Sequence, residues 1–224
     1  EAPGPTHDKL RPRIADTARR LWVIYLIFTI IIGVLLYLFG MSPFDALCHA
    51  LTTLSSGGYS TKQASIGYWS SPFIHYTIII GMIIAGINFS LIYFSFSQKS
   101  IKKFFKDEEL RVYLITIAIF ACITGIGLCI FNNCNTLSAI ENRFRSALFH
   151  VVSIMTTTGF ATEDYLQWPT VLWFLIVLLL CTGASAGSTS GGIKLIRLHK
   201  IKKNILYEFK RIMHPKAIMP VRIN

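Results

Sequence analysis

Met155–Thr162 reads MTTTGFAT, and an earlier stretch, Leu54–Thr61, reads LSSGGYST. Aligned without gaps, Gly58 falls on Gly159, Tyr59 on Phe160 and Thr61 on Thr162, and upstream His49 falls on His150. Neither stretch is apolar enough to cross a membrane, and each lies between two long apolar runs. Each also follows a short amphipathic segment, Phe44–Leu54 in the first copy and Phe144–Met155 in the second. The repeated unit reads as membrane helix, short re-entrant pore helix, filter strand, membrane helix. Two such units in series make an all-α membrane protein of two tandem helix–pore-loop–helix modules.

Composition agrees with a bilayer-spanning chain. Hydrophobic residues make up 53% and charged residues only 15%, where soluble domains are closer to a quarter charged. Leu21–Phe39, Phe73–Phe96 and Val112–Phe131 contain no charge and are long enough to cross a hydrocarbon core of about 30 Å. The net charge of +11 does not point to nucleic acid, because the basic residues cluster at Lys9–Arg20, Lys99–Arg111 and Lys194–Arg222. The intervening Gly40–Pro72 and Asn132–Thr170 hold only Lys62, Arg143 and Arg145. Basic clusters alternating between spans follow the positive-inside rule. Both termini and the central linker are then cytoplasmic, and both filter-like stretches face outside.

In chain order, residues 1–20 are a cytoplasmic linker and 21–99 a membrane module. Residues 100–111 form a second linker, 112–213 a second module, and 214–224 a tail. Gly40 and Pro43 end the first span, and Ser42 is placed to cap the short helix after it. Phe73–Phe96 reads as one span with Asn88 facing protein or water. Val171–Thr182 covers only about 18 Å at helical rise, so Gly183–Gly192, GASAGSTSGG, still lies at membrane depth. Irregular backbone there must line a cavity or be buried in protein. Lys194 and Arg197 are expected at its cytoplasmic edge, and His214-Pro215 ends the last helix. The chain begins EAPGP, with no initiator Met, and reads as a fragment of a longer protein.

The repeated stretch suits a cation path. Backbone carbonyls replace an ion's water without burying net charge. Gly58 and Gly159 allow the unusual dihedrals this needs, and Ser55, Ser56, Gly57, Thr156, Thr157 and Thr158 add small or hydroxyl neighbours. Tyr59 and Phe160 are expected to pack behind the strand as a cuff. Each short helix points its negative end toward the pore. His49 and His150 have no metal or catalytic spacing around them and read as structural. The cysteines Cys48, Cys122, Cys129, Cys134 and Cys181 form no CxxC pair and read as small apolar fillers. GASAGSTSGGIK departs from a phosphate loop, since Ile193 intervenes before Lys194 and Leu195 follows it. A competing class is an intramembrane serine hydrolase that uses Ser188 and a histidine.

Beyond these readings, EAPGPTHDKLRPRIADTARRLW, LSSGGYSTKQASIGYW, DEELRVYL, TTTGFAT, GASAGSTSGGIKLIR and HPKA, in that order, resemble the Trk-type bacterial potassium-uptake membrane subunit. The resemblance covers essentially the whole chain. It implies four modules around one pore, of which this chain matches the second and third. It also implies potassium as substrate, no cofactor in this chain, and residence in the bacterial inner membrane among its lipids. Partners implied are the missing modules of the parent, a second copy in a homodimer, and a cytoplasmic nucleotide-binding regulatory subunit. The family's intramembrane gate maps onto Gly183, Gly187, Ser188, Thr189, Ser190, Gly191 and Gly192.

Overall fold

The computed structural model describes residues 14–97, 104, 106–134 and 136–213. The expected cytoplasmic segments at 1–13, 98–103 and 214–224, with the His214-Pro215 stop, lie outside the described residues. The rest is mostly helical, as expected.

Helix α1, Ile14–Leu38, is long because nothing breaks its apolar run before Gly40. Ile32 and Leu36 are buried, while Ile27, Ile31, Val34 and Leu38 stay exposed. That spacing gives the helix one face packed on protein and one exposed apolar face. Gly33 lets α2, Pro43–Leu54, come close: a Cβ there would sit 3.4 Å from the Ala50 Cβ. Ser42 caps α2 by accepting from the Asp45 N–H at 3.1 Å, as its position predicts.

The run expected to be one span is broken. Helices α3, Pro72–Ala85, and α4, Phe89–Ser97, meet at 93°. Hydropathy averaged over the run does not register this bend, although Gly86 and Asn88 stand at it. Asn88 starts α4, its side chain accepting from the Ser90 N–H at 2.9 Å. Gly86 also lies where a Cβ would meet the Tyr113 hydroxyl at 2.2 Å.

Helix α5, Glu108–Phe131, is about 36 Å long. Ile115, Ile119, Ile123, Ile126 and Ile130 form an exposed stripe, opposite buried Tyr113, Ile117, Ala121 and Leu128. Helix α6 runs Leu137–Met155, about two turns longer than the expected Phe144 start. Thr136 caps it, and the Glu141–Arg145 ion pair at 2.7 Å stabilises the polar turns. Helix α7, Thr170–Leu180, is as short as expected. Strand β1, Thr182–Gly183, then pairs in parallel with β2, Ile193–Lys194, before α8, Leu195–Met213. By length and apolarity α1 and α5 can cross a membrane, and the bent α3–α4 pair is a third candidate. Leu54, Ile78, Met82, Phe149, Phe160 and Leu195 belong to one buried core between the two halves.

Candidate functional site

The two repeated loops share a set of backbone bonds. Ser55 N–H donates to Leu51 O at 3.1 Å, and Thr156 N–H to Val152 O at 2.9 Å. Ser56 donates to Thr53 O at 3.3 Å, and Thr157 to Ile154 O at 3.0 Å. Gly57 and Thr158 donate to the carbonyls of Thr52 and Ser153 at 2.9 and 2.8 Å. The hydroxyls of Thr52 and Ser153 reach forward to the carbonyls of Tyr59 and Phe160, at 3.0 and 2.7 Å. Each loop thus peels off its helix by the same tight turn.

That turn requires left-handed backbone at two places in each copy. Gly58 and Gly159 have φ of +66° and +87°, as their type suggests. One further pair was not expected from sequence: Ser56 and Thr157 have φ of +54° and +56°. A non-glycine residue in this region is uncommon, and for β-branched Thr157 it is strained. The loops also meet. A Cβ on Gly58 would lie 1.8 Å from the Thr158 carbonyl oxygen, whereas one on Gly159 would meet nothing within 4 Å.

His49 and His150 hold matching places. Each Nδ1 lies by the carbonyl four residues earlier, Asp45 at 2.7 Å and Ser146 at 2.9 Å. Nε2 of His49 faces the Ser60 hydroxyl at 3.0 Å, and that of His150 the Glu163 carbonyl at 3.1 Å. These bonds tie each short helix to the chain returning from its loop, a structural role. At the rim, the Asp45 carboxyl is held below the usual carboxylate range, chiefly by the Thr61 hydroxyl, with smaller help from Ser42 and Lys62.

The expected cuff is present in one copy only. Phe160 is buried with its ring 5.9 Å from that of His49, but Tyr59 is exposed. Nothing among the described residues covers Tyr59. A brace that sequence reading missed supports the second loop instead. Gly67 N–H donates to Ala161 O at 3.2 Å, and Ala161 N–H donates to the Ser65 hydroxyl at 3.3 Å. A Cβ at Gly67 would meet Thr162 O at 2.5 Å.

The stretch 183–192 touches both loops. Thr189 Oγ1 lies 2.9 Å from Ser56 Oγ, and Gly191 N–H donates to Thr157 Oγ1 at 2.6 Å. It also satisfies the groups freed at the α3–α4 bend. Ser185 N–H donates to Gly86 O at 3.1 Å, Thr189 N–H to Ala85 O at 3.2 Å, and Phe89 N–H to Gly187 O at 3.4 Å. The bend and the loop therefore complete each other's backbone bonding. Asn88 lies against Gly187, whose added Cβ would be 2.9 Å from Oδ1.

Within the stretch, Ser188 Oγ donates to Ser185 O at 2.6 Å and lies 2.8 Å from Ser190 Oγ. Lys194 folds back, its ammonium donating to the Ser190 hydroxyl at 3.1 Å, to the Ser190 carbonyl, and to Ser188 Oγ at 3.4 Å. It clasps the stretch rather than sitting only at its edge, whereas Arg197 is exposed. Glu109, at the head of α5, accepts from the Ala186 N–H. A hydrolase would need a histidine at Ser188. Both loop histidines are engaged elsewhere, so the geometry does not favour that reading.

The TrkH family model, described as a cation transport protein, matches residues 4–224. The Trk system potassium uptake protein TrkH of Salmonella typhimurium is 39% identical over 234 residues, spanning 100% of this chain and 46% of that protein. TrkG of Escherichia coli, also named a Trk system potassium uptake protein, is 35% identical and matches 100% of this chain and 45% of its own length. The crystal structure of the potassium transporter TrkH from Vibrio parahaemolyticus matches with a TM-score of 0.88 and 35% identity, over 96% of this chain and 46% of that one. These relatives are transporters rather than enzymes, and this chain spans less than half the length of each. The chain belongs to the TrkH family of cation transport proteins.

Proposed function

We propose that this chain supplies two of the four pore modules of a potassium-uptake protein of the bacterial inner membrane, with both its ends cytoplasmic. Ser55–Tyr59 and Thr156–Phe160 are two segments of its carbonyl-lined selectivity filter, and potassium is the substrate. The observation that carries this reading is the matched pair of loops, equivalent in bonds and dihedrals and in contact through Gly58 and Thr158. Carbonyls presented by such turns can replace the hydration shell of a cation. The names of the relatives favour potassium among cations.

Gly183–Gly192 acts as the gate across the inner end of the filter. It is held by one hydrogen bond each to Ser56, Thr157 and Glu109 and by several to the α3–α4 bend, each of modest net worth, about 0.5–1.5 kcal/mol, so a partner binding α8 can shift it. That partner is the cytoplasmic nucleotide-binding regulatory subunit, and the intact protein is a homodimer.

Potassium uptake by the full-length parent in a transport-deficient strain tests the reading. Gly159→Asp is expected to abolish growth at low potassium, and unchanged uptake and selectivity would refute the filter assignment. Removing Ser188–Ser190 is expected to raise flux and weaken its dependence on the regulatory subunit. Unchanged, still-regulated flux would show that the stretch is not the gate. A cysteine at Lys62 should react with an impermeant thiol reagent in intact cells and one at Lys103 should not, and the reverse pattern would invert the topology.

A further inference from the structure

The end of α5 carries a paired-thiol arrangement that the transport reading does not use. Asn132 N–H donates to Leu128 O at 3.0 Å, Asn133 N–H to Ile130 O at 3.3 Å, and Cys134 N–H to Cys129 O at 3.1 Å. Asn133 has a φ of +49°. This is a Schellman cap, in which the left-handed residue folds the second residue beyond the helix back over its last turn. In such caps those two side chains usually make an apolar contact. Here the third-last residue of the helix, Cys129, and the residue folded back onto it, Cys134, are both cysteines, brought together by the Cys134 N–H to Cys129 O bond. Both are free and partly exposed.

We propose that Cys129 and Cys134 are a redox-active pair that closes to an intramolecular disulfide when it meets a small disulfide oxidant. The placement of this pair on the outward side rests on the topology above, and the chemistry does not. In the first step the Cys134 thiolate attacks one sulfur of the oxidant, breaking its S–S bond and releasing one thiol. The Cys129 thiolate then attacks the Cys134 sulfur of the mixed disulfide and releases the second thiol. The protein dithiol loses two electrons and two protons, and the oxidant is reduced to two thiols. The bond ties the last turn of α5 to the lead-in of α6, the helix that ends in the second repeated loop. An outward, disulfide-permissive compartment would keep it closed.

The test uses the purified full-length parent, reduced and then exposed to oxidised glutathione. Alkylation and tryptic mapping follow. The peptide Val112–Arg143 holds Cys122, Cys129 and Cys134, so Cys122 serves as an internal control. The expected product is lighter by two hydrogens, with Cys122 alkylated and the other two blocked. Asn133→Gly should keep the reaction, whereas Asn133→Val, which resists left-handed backbone, should slow it at least severalfold. Full alkylation of Cys129 and Cys134, or separate glutathione adducts on each, would overturn the proposal. So would closure in Asn133→Val at the rate of the unaltered protein. The Lys62 labelling experiment tests the topology separately; its failure would change the compartment that supplies the oxidant, not the outcome in purified protein.

Discussion

Tyr59 is 79% exposed, whereas Phe160, at the same place in the repeat, is 2% exposed. The two loops around them make the same backbone turn, so the difference does not arise within the loops. Phe160 is covered because the earlier unit reaches it, through the His49 ring and through the brace from Ser65 and Gly67. The aromatic of the later unit is thus covered by the earlier one, while the 183–192 stretch of the later unit reaches back to Ser56 and the α3–α4 bend. Tyr59 is where a preceding unit would make the contact that His49 makes to Phe160. The relatives, of which this chain spans less than half, have the length to provide one.

The largest expected effect separates the two glycines. Gly58→Ala in the full-length parent should abolish assembly or uptake, because its Cβ would overlap the Thr158 carbonyl as well as strain φ. Gly159→Ala meets no neighbour within this chain and adds there only the backbone strain, about 1–3 kcal/mol; a larger loss in the parent would come from a further unit standing beside it. Thermal unfolding and uptake compare the two variants, and a Gly58→Ala parent that folds and transports normally would show that the loops are not in contact.

Next comes the aromatic pair. Phe160→Ala should destabilise the parent by about 3–5 kcal/mol, as for other buried phenylalanines. If a preceding unit covers Tyr59, then Tyr59→Ala in the parent should destabilise it on a similar scale. A negligible change on denaturant unfolding would mean that Tyr59 stays in solvent and that no preceding unit covers it.

Much of this was legible in the sequence. The register of the repeat located Gly58 and Gly159, and the short α7 followed by Gly183–Gly192 located the irregular stretch. What was hidden has physical causes. At the α3–α4 bend Asn88 is visible as a polar residue, but the apolar run on either side reads as one span, and the bend is stabilised by partners about a hundred residues away. The left-handed Ser56 and Thr157 carry no residue-type signal, since the strain is imposed by the turn. The early start of α6 lies in polar residues that read as loop until the Glu141–Arg145 pairing is seen. The lack of cover on Tyr59 depends on neighbours that its own sequence context does not encode.

Smaller effects concern the contacts below the loops. Ser56→Ala and Thr157→Ala should each remove about 1 kcal/mol of hold on the 183–192 stretch. Each should also raise potassium leak without its regulatory partner, measured as rubidium efflux from vesicles. Leak unchanged in both would separate the stretch from gating.

The smallest effect again sets the copies apart. Thr61 donates to the Asp45 carboxylate at 2.5 Å, but at the Asp45 position the second copy has Ser146. Thr162 Oγ1 is correspondingly buried with no partner among the described residues. Thr61→Val should destabilise by about 1 kcal/mol, and Thr162→Val should be neutral or slightly stabilising. Because folding lowers the Asp45 pKa, the Thr61 contribution is full above the usual carboxylate range. It is lost as pH falls through the lower folded value. Unfolding curves of Thr61→Val and the unaltered parent should therefore converge at acid pH, and a gap that widens there would contradict the assignment.

Anomalous scattering from crystals of the full-length parent soaked in thallium or rubidium, which substitute for potassium, tests the central claim most directly. The account predicts an ion held jointly by carbonyl oxygens from 55–58 and 156–159, with 183–192 on its inner side. Heavy-ion density confined to other sites, with both loops resolved and free of it, would contradict the claim.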